Sequence, residues 1–213
     1  LARHRARFHP SVVRPWLSAR TPELIVGVLF LAGLAIRLLG VGYGDPLVLH
    51  PDEHQVVGVA VTMLKNGSLA PPVPYHYPTV FHYLLLPAFG LLYVRGKSRG
   101  LWTSLDEIQY DTFQFYELAR AHSAVLGALT ILLTFVLARR MWPGDRGRWA
   151  GVIAAAYVTF SFIHVKESHN GVTDAALTFF IVVAFIAIVT ALHRGSRIGF
   201  AAAGFAVGIA CAT

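Results

Sequence analysis

Apolar residues are gathered along this chain into long stretches. The first runs from Leu24 to about Val41, entered by Thr21-Pro22-Glu23, a helix-start sequence. Others run from about Ala121 to Ala138, Trp149 to Ile163 and Asp174 to Leu192, and a fifth begins near Ile198 and stops with the chain at Thr213. A membrane span takes about 20 apolar residues. The pattern therefore predicts an all-α polytopic membrane bundle with four complete spans and the start of a fifth. A shorter apolar piece, Thr79 to Val94, contains Pro87 and follows Tyr77-Pro78. Ahead of it, Gln55 to Asn66 reads as a helix closed by Gly67, with Pro51 at its first position and Asp52 and Glu53 in its first turn.

Whether Thr79–Val94 crosses the membrane decides which residues share a side. If it does not cross, every strongly basic short segment falls on one side: Arg3, Arg5, Arg7, Arg14 and Arg20, then Arg139, Arg140, Arg146 and Arg148, then Arg194 and Arg197. That satisfies the positive-inside tendency. If it does cross, the Arg139–Arg148 loop moves outside, and Asp52 and Asp174 part company. The first arrangement is expected. It gives a cytoplasmic N-terminus, one large external loop over 43–117, and Thr79–Val94 as a surface or re-entrant helix. It also places Arg95, Lys97 and Arg99 outside. Residues 1–213 read as a piece of a longer protein, or as the ordered part of one, because the first residue is Leu and the last apolar stretch stops in mid-helix.

Composition agrees. The 213 residues are 55% hydrophobic and 14% charged, with a mean hydropathy of +0.58; a soluble domain carries about 25% charged residues. A soluble enzyme, a disordered tail and a secreted disulfide scaffold are all disfavoured. The net charge of +7 resides in segments between spans, which fits loop orientation and anionic lipid rather than nucleic acid. The single cysteine, Cys211, excludes an intrachain disulfide.

The acids narrow the chemistry to one face. Of eleven, only Glu23 and Asp145 fall on the cytoplasmic side of the expected topology. The densest cluster is His50-Pro51-Asp52-Glu53-His54. Its acids have a plain structural role in complementing the helix dipole, and its histidines are four apart, a spacing that suits a metal only if both are helical, which Pro51 interrupts. Tyr75-His76-Tyr77-Pro78-Thr79, with His82 and Tyr83, reads either as an interfacial aromatic belt or as the wall of a sugar pocket. Arg37 and Arg120 lie near the outer ends of two spans. Each either snorkels to lipid phosphate or binds a substrate phosphate through its planar fork. Asp174 either caps the span it opens or faces a substrate, ionisable groups at membrane depth being functional candidates by default.

Taken in order, these features resemble a known family. A span is followed by Asp52-Glu53, a helix ending Met63-Leu64-Lys65-Asn66-Gly67-Ser68-Leu69, then Tyr77-Pro78-Thr79-Val80-Phe81-His82-Tyr83-Leu84. Arg120 then opens a span ending Leu137-Ala138-Arg139-Arg140-Met141-Trp142, and Ser168-His169-Asn170-Gly171-Val172-Thr173-Asp174 precedes a Phe-rich span. Over residues 24 to 213 this resembles the N-terminal part of GT-C fold membrane glycosyltransferases of the protein O-mannosyltransferase-like group, glycosyltransferase family 39. The resemblance implies transfer of a sugar, with inversion, from a polyprenyl-phosphate donor to an acceptor hydroxyl on a protein, lipid or glycan at the outer membrane face. It implies Asp52 as catalytic base, with Glu53 tuning it or placing the acceptor. Arg120 is then expected near the carrier phosphate, and Asp174, His50, His54, Tyr77 and His82 around the substrates. No cofactor is implied, although a divalent metal has a place in the scheme. Membrane lipids and other membrane subunits are expected partners; nucleic acid is not. In many members the fifth span continues past Ala-Thr into Lys and Asn; the sequence here ends at Ala212-Thr213. Two other readings compete: a non-catalytic subunit of a larger membrane complex, and a transporter fragment. Acids in loops rather than at the bilayer midplane argue against the transporter.

Overall fold

A computed structural model describes residues 16–72, 77–109 and 113–213 of the chain. Arg3, Arg5, Arg7, Arg14, His76 and Asp111 lie outside the described residues. Those that are described are all-helical apart from turns and loops. Helix α1 is Trp16–Leu38, α2 Pro51–Asn66, α3 Val80–Ser98, α4 Phe113–Met141, α5 Gly144–Phe160, α6 Phe162–Ser168, α7 Asp174–Arg194 and α8 Arg197–Cys211, with a short 3-10 turn at Leu105–Gln109. Three helices, α1 from Arg20, α4 and α7, are long and apolar enough to span a membrane, and the bent pair α5–α6 meets the same test when its two helices are taken together. This is an integral membrane protein built as a helical bundle.

Helices cover the apolar stretches of the sequence, with three differences. Helix α1 begins ahead of Thr21-Pro22-Glu23 and takes Pro22 inside it. Helix α4 begins two turns before the apolar run, so Arg120 lies within the helix rather than at its head. The stretch Trp149–Ile163 is not one rod: the chain breaks at Ser161 and turns by 58° into α6.

The two ends of the bundle are chemically distinct. At one, Glu23 of α1 pairs with Arg148 of α5 at 2.6 Å and with Arg139 of α4 at 3.5 Å. At the other meet the α1–α2 loop, the starts of α2 and α4, and the turn between α6 and α7. Helix α3 stays at this second end. The Val80 amide donates to the Ala212 carbonyl at the end of α8 (3.0 Å). Further along α3, Phe89 packs edge-on against Phe115 in the first turn of α4 (5.0 Å between centroids), and Trp102, after α3, reaches the same ring at 5.7 Å. A helix whose start, middle and sequel all meet one end of the bundle lies across it.

Helix α2 is amphipathic, burying Glu53, Val56, Val57, Ala60 and Val61, the i, i+3, i+4 stripe of a core-facing helix. It ends at Gly67, whose φ of +58° is the left-handed conformation glycine adopts without penalty. The cluster beneath holds Phe81, Phe89 and Phe115 fully buried. Each such ring contributes about 1.5–3 kcal/mol by leaving water. This cluster fixes α2 and α3 over the bundle and so positions the acids at its end.

Candidate active site

Helix α2 sends two neighbouring carboxylates into opposite surroundings. Successive residues are about 100° apart around a helix. Glu53 therefore shares the buried face with Val56 and Val57, while Asp52 is exposed.

Glu53 meets Arg120 in a bidentate pair, Nε to Oε1 and Nη2 to Oε2, both 2.7 Å, and neither side chain is exposed at all. The Gly171 amide, from the turn between α6 and α7, donates to the same Oε1 at 2.6 Å. Arg120 Nη1 donates to the carbonyls of Val41 (2.9 Å) and Tyr43 (2.8 Å). The Tyr43 ring lies 4.1 Å from the guanidinium carbon, close enough for a cation–π contact. A desolvated ion pair holds only when its remaining donors and acceptors find partners, and here each guanidinium nitrogen and both carboxylate oxygens have one. Residue 171 has to be glycine: a Cβ there would stand 2.9 Å from the Ala119 Cβ and 3.4 Å from Glu53 Oε1. Arg120 thus ties together the loop after α1, the start of α2, α4 and the turn before Asp174. Its fork faces Glu53 and backbone, not an opening where a lipid phosphate could reach it.

Asp52, Tyr77 and Asp174 share the exposed side. The Tyr77 hydroxyl hydrogen-bonds to Asp52 and is near enough to Asp174 to feel its charge; burial first, then these two carboxylates, push the phenol's pKa up. Asp174 is exposed at the first position of α7, after Thr173, whose side chain makes no capping bond. His50 is the N-cap of α2, its Nδ1 accepting from the Asp52 amide at 3.3 Å. That places it outside the helix, so the His50 and His54 spacing is not a helical ligand pair. Among the described residues no three His, Cys, Asp or Glu side chains gather as a metal site would require. His54 is exposed, with Nδ1 2.9 Å from the Tyr116 hydroxyl.

His82 is buried rather than open to this side. It is 1% exposed within α3, neither ring nitrogen makes a well-formed hydrogen bond, and the Pro78 carbonyl only partly offsets the burial that pulls its pKa below the usual histidine range.

On the far side of His50 an open cleft of about 430 Å³ runs between Tyr43, Leu49 and His50 on one wall and Phe162, Val165, Lys166, His169 and Asn170 on the other. The Tyr43 hydroxyl donates to Asn170 Oδ1 at 2.7 Å. Lys166 is exposed and rests 3.0 Å from Glu167. Sequence reasoning passed over Tyr43, Lys166 and Gly171. Only Gly171 left a signal, as a small residue inside a short polar turn.

A family model described as dolichyl-phosphate-mannose-protein mannosyltransferase matches residues 75–213. The matched stretch takes in Tyr77, His82, Arg120 and Asp174, while Asp52 and Glu53 lie ahead of it. No curated protein and no solved structure matches the chain. The match runs over well over half of the 213 residues and includes both the Arg120 clamp and the turn that Gly171 ties to Glu53; the chain belongs to the dolichyl-phosphate-mannose-protein mannosyltransferase family.

Proposed function

We propose that this chain is the N-terminal part of a glycosyltransferase that moves mannose from a polyprenyl-phosphate carrier to the hydroxyl of a protein acceptor. The N-terminus is cytoplasmic, residues 43–117 form the external loop, and transfer occurs on the outer face. An acceptor hydroxyl attacks well only if a base takes its proton in the transition state. Asp52 is that base. Tyr77 and Asp174 flank it, and His50 and His54 border the opening, where the acceptor and the sugar are held. Glu53 and Arg120 are positioning residues that fix the Asp52 backbone. His82 supports α3 behind the site.

The leaving phosphate needs positive charge as the bond breaks. With Arg120 committed to Glu53, that role falls to another cation, and Lys166 in the cleft beside His50 is exposed to take it. A single base acting opposite the leaving group gives inversion.

The observation that carries this reading is the split of the acid pair: Glu53 locked by three short bonds, Asp52 left exposed beside Tyr77. In the full-length protein with a polyprenyl-phosphate-mannose donor, Asp52→Asn is expected to lower transfer by about a hundredfold or more. Transfer at the normal rate would remove Asp52 as the base. A second reading, a non-catalytic subunit, draws on the matched stretch beginning after Asp52-Glu53. It would stand if the purified full-length protein, with Asp52 intact, transferred nothing by itself.

A further inference from the structure

The first span carries a second buried guanidinium that the proposed chemistry does not use. Arg37 is 0% exposed, and no carboxylate is among its partners. All five of its N–H groups are nevertheless spent. Nη1 donates to the carbonyls of Gly33 (3.0 Å) and Thr159 (3.3 Å), Nη2 to the Val158 carbonyl (2.9 Å) and to His164 Nδ1 (2.9 Å), and Nε to Ser168 Oγ (3.3 Å).

Val158 and Thr159 are in the last turn of α5. The break at Ser161 leaves their carbonyls without the amides a continuous helix would supply. Inside a bilayer such carbonyls cost several kcal/mol each unless protein satisfies them. The end of a helix also carries partial negative charge that favours a cation. Arg37 fills both needs. It also grips α6 at two points a turn apart, His164 and Ser168. Glycines clear the space: a Cβ on Gly33 would stand 3.1 Å from Nη1, and one on Gly127 3.2 Å from Nε and 2.3 Å from Ser168 Oγ.

Two residues past Ser168, the chain turns at Asn170 and Gly171, where Gly171 meets Glu53 and Asp174 follows. His169 adds a tie to α1, its Nε2 facing the carbonyls of Ile36 (3.1 Å) and Leu39 (3.0 Å). We infer that Arg37 is a positioning residue for transfer: by holding the broken span at Val158, Thr159, His164 and Ser168, it sets the turn that delivers Gly171 to Glu53 and Asp174 to the opening. This rests on the reading that transfer occurs at Asp52. Lysine cannot substitute, because a single ammonium with three donors cannot reach five acceptors spread around a planar fork.

The test is Arg37→Lys in the full-length protein in lipid nanodiscs, read by amide hydrogen exchange and by transfer kinetics, with Ser168→Ala as a milder variant. Arg37→Lys is expected to speed exchange in residues 168–173, the Gly171 amide above all, while the middles of α1 and α4 keep their protection. It should lower kcat about tenfold with donor KM within about twofold, a tenfold loss being about 1.4 kcal/mol. Ser168→Ala should do the same to a smaller extent. Unchanged exchange at 168–173, loosening spread evenly over all helices, or a donor KM that rises while kcat holds would each overturn the inference. If wild-type protein transfers no mannose, the reading of Asp52 fails, and the exchange measurement still decides whether Arg37 sets the turn.

Discussion

Two adjacent carboxylates one helix position apart are expected to respond oppositely to removal of their charge. Glu53→Gln leaves Arg120 buried without a counter-ion, and breaking such a pair costs roughly 3–5 kcal/mol. Denaturant or thermal unfolding of the protein in detergent should show that loss. Pairing Glu53→Gln with Arg120→Gln should cost less than the sum of the two singles, since they share one network. Asp52→Asn, on an exposed side chain, should shift stability by no more than about 0.5 kcal/mol while transfer is lost. His82 makes a third residue-scale prediction. Unfolded, its ring titrates near the ordinary 6.5; buried, it titrates lower, so the folded state resists protonation. The stability this represents is present above about pH 6.5 and is lost as pH falls toward the folded value. A melting midpoint that falls on acidification in wild type, and falls less in His82→Phe, is the expected result.

Among the elements, packing rather than hydropathy sets the details. A methyl added at Gly127 would strike Ser168 Oγ at 2.3 Å, pushing α6 from α4. Gly127→Ala should destabilise by about 1–3 kcal/mol, the usual cost of overpacking, and the loss should be smaller in a Gly127→Ala, Ser168→Gly background. How much was legible beforehand follows from the same physics. Helix α2 could be read because its start and stop chemistry is local: Pro51, Asp52 and Glu53 at one end, Gly67 at the other. The spans could be read because apolar length is summed along the chain. The break at Ser161 could not, since apolar residues continue through it and the group that satisfies the freed carbonyls is Arg37, more than a hundred residues away. For the same reason Asp52 could be singled out while Arg120 pointed toward a phosphate. Sequence displays a cation at the end of a span, but not the carboxylate and carbonyls that enclose it.

For the molecule as a whole, one end of the bundle holds most of the acids, offset by nearby Lys and Arg, and the other is strongly basic; their assignment to the two sides of a membrane can be read by labelling. With Cys211 replaced by Ser, a cysteine at Ser98 in intact cells should react with a membrane-impermeant maleimide, and one at Asp145 should not. If α3 crossed the bilayer, that pattern would fail. The long reach of the two arginine clamps also bears on how the protein is made. Arg37 enters the membrane with α1, but its partners at Val158, Thr159, His164 and Ser168 are synthesised 121 to 131 residues later. At about 5–20 residues per second, the ribosome leaves that guanidinium waiting for roughly 6 to 25 seconds. Until α5 and α6 arrive, the N–H groups that Val158, Thr159, His164 and Ser168 later satisfy need water or lipid headgroups instead. The guanidinium can be enclosed only once the later helices are made.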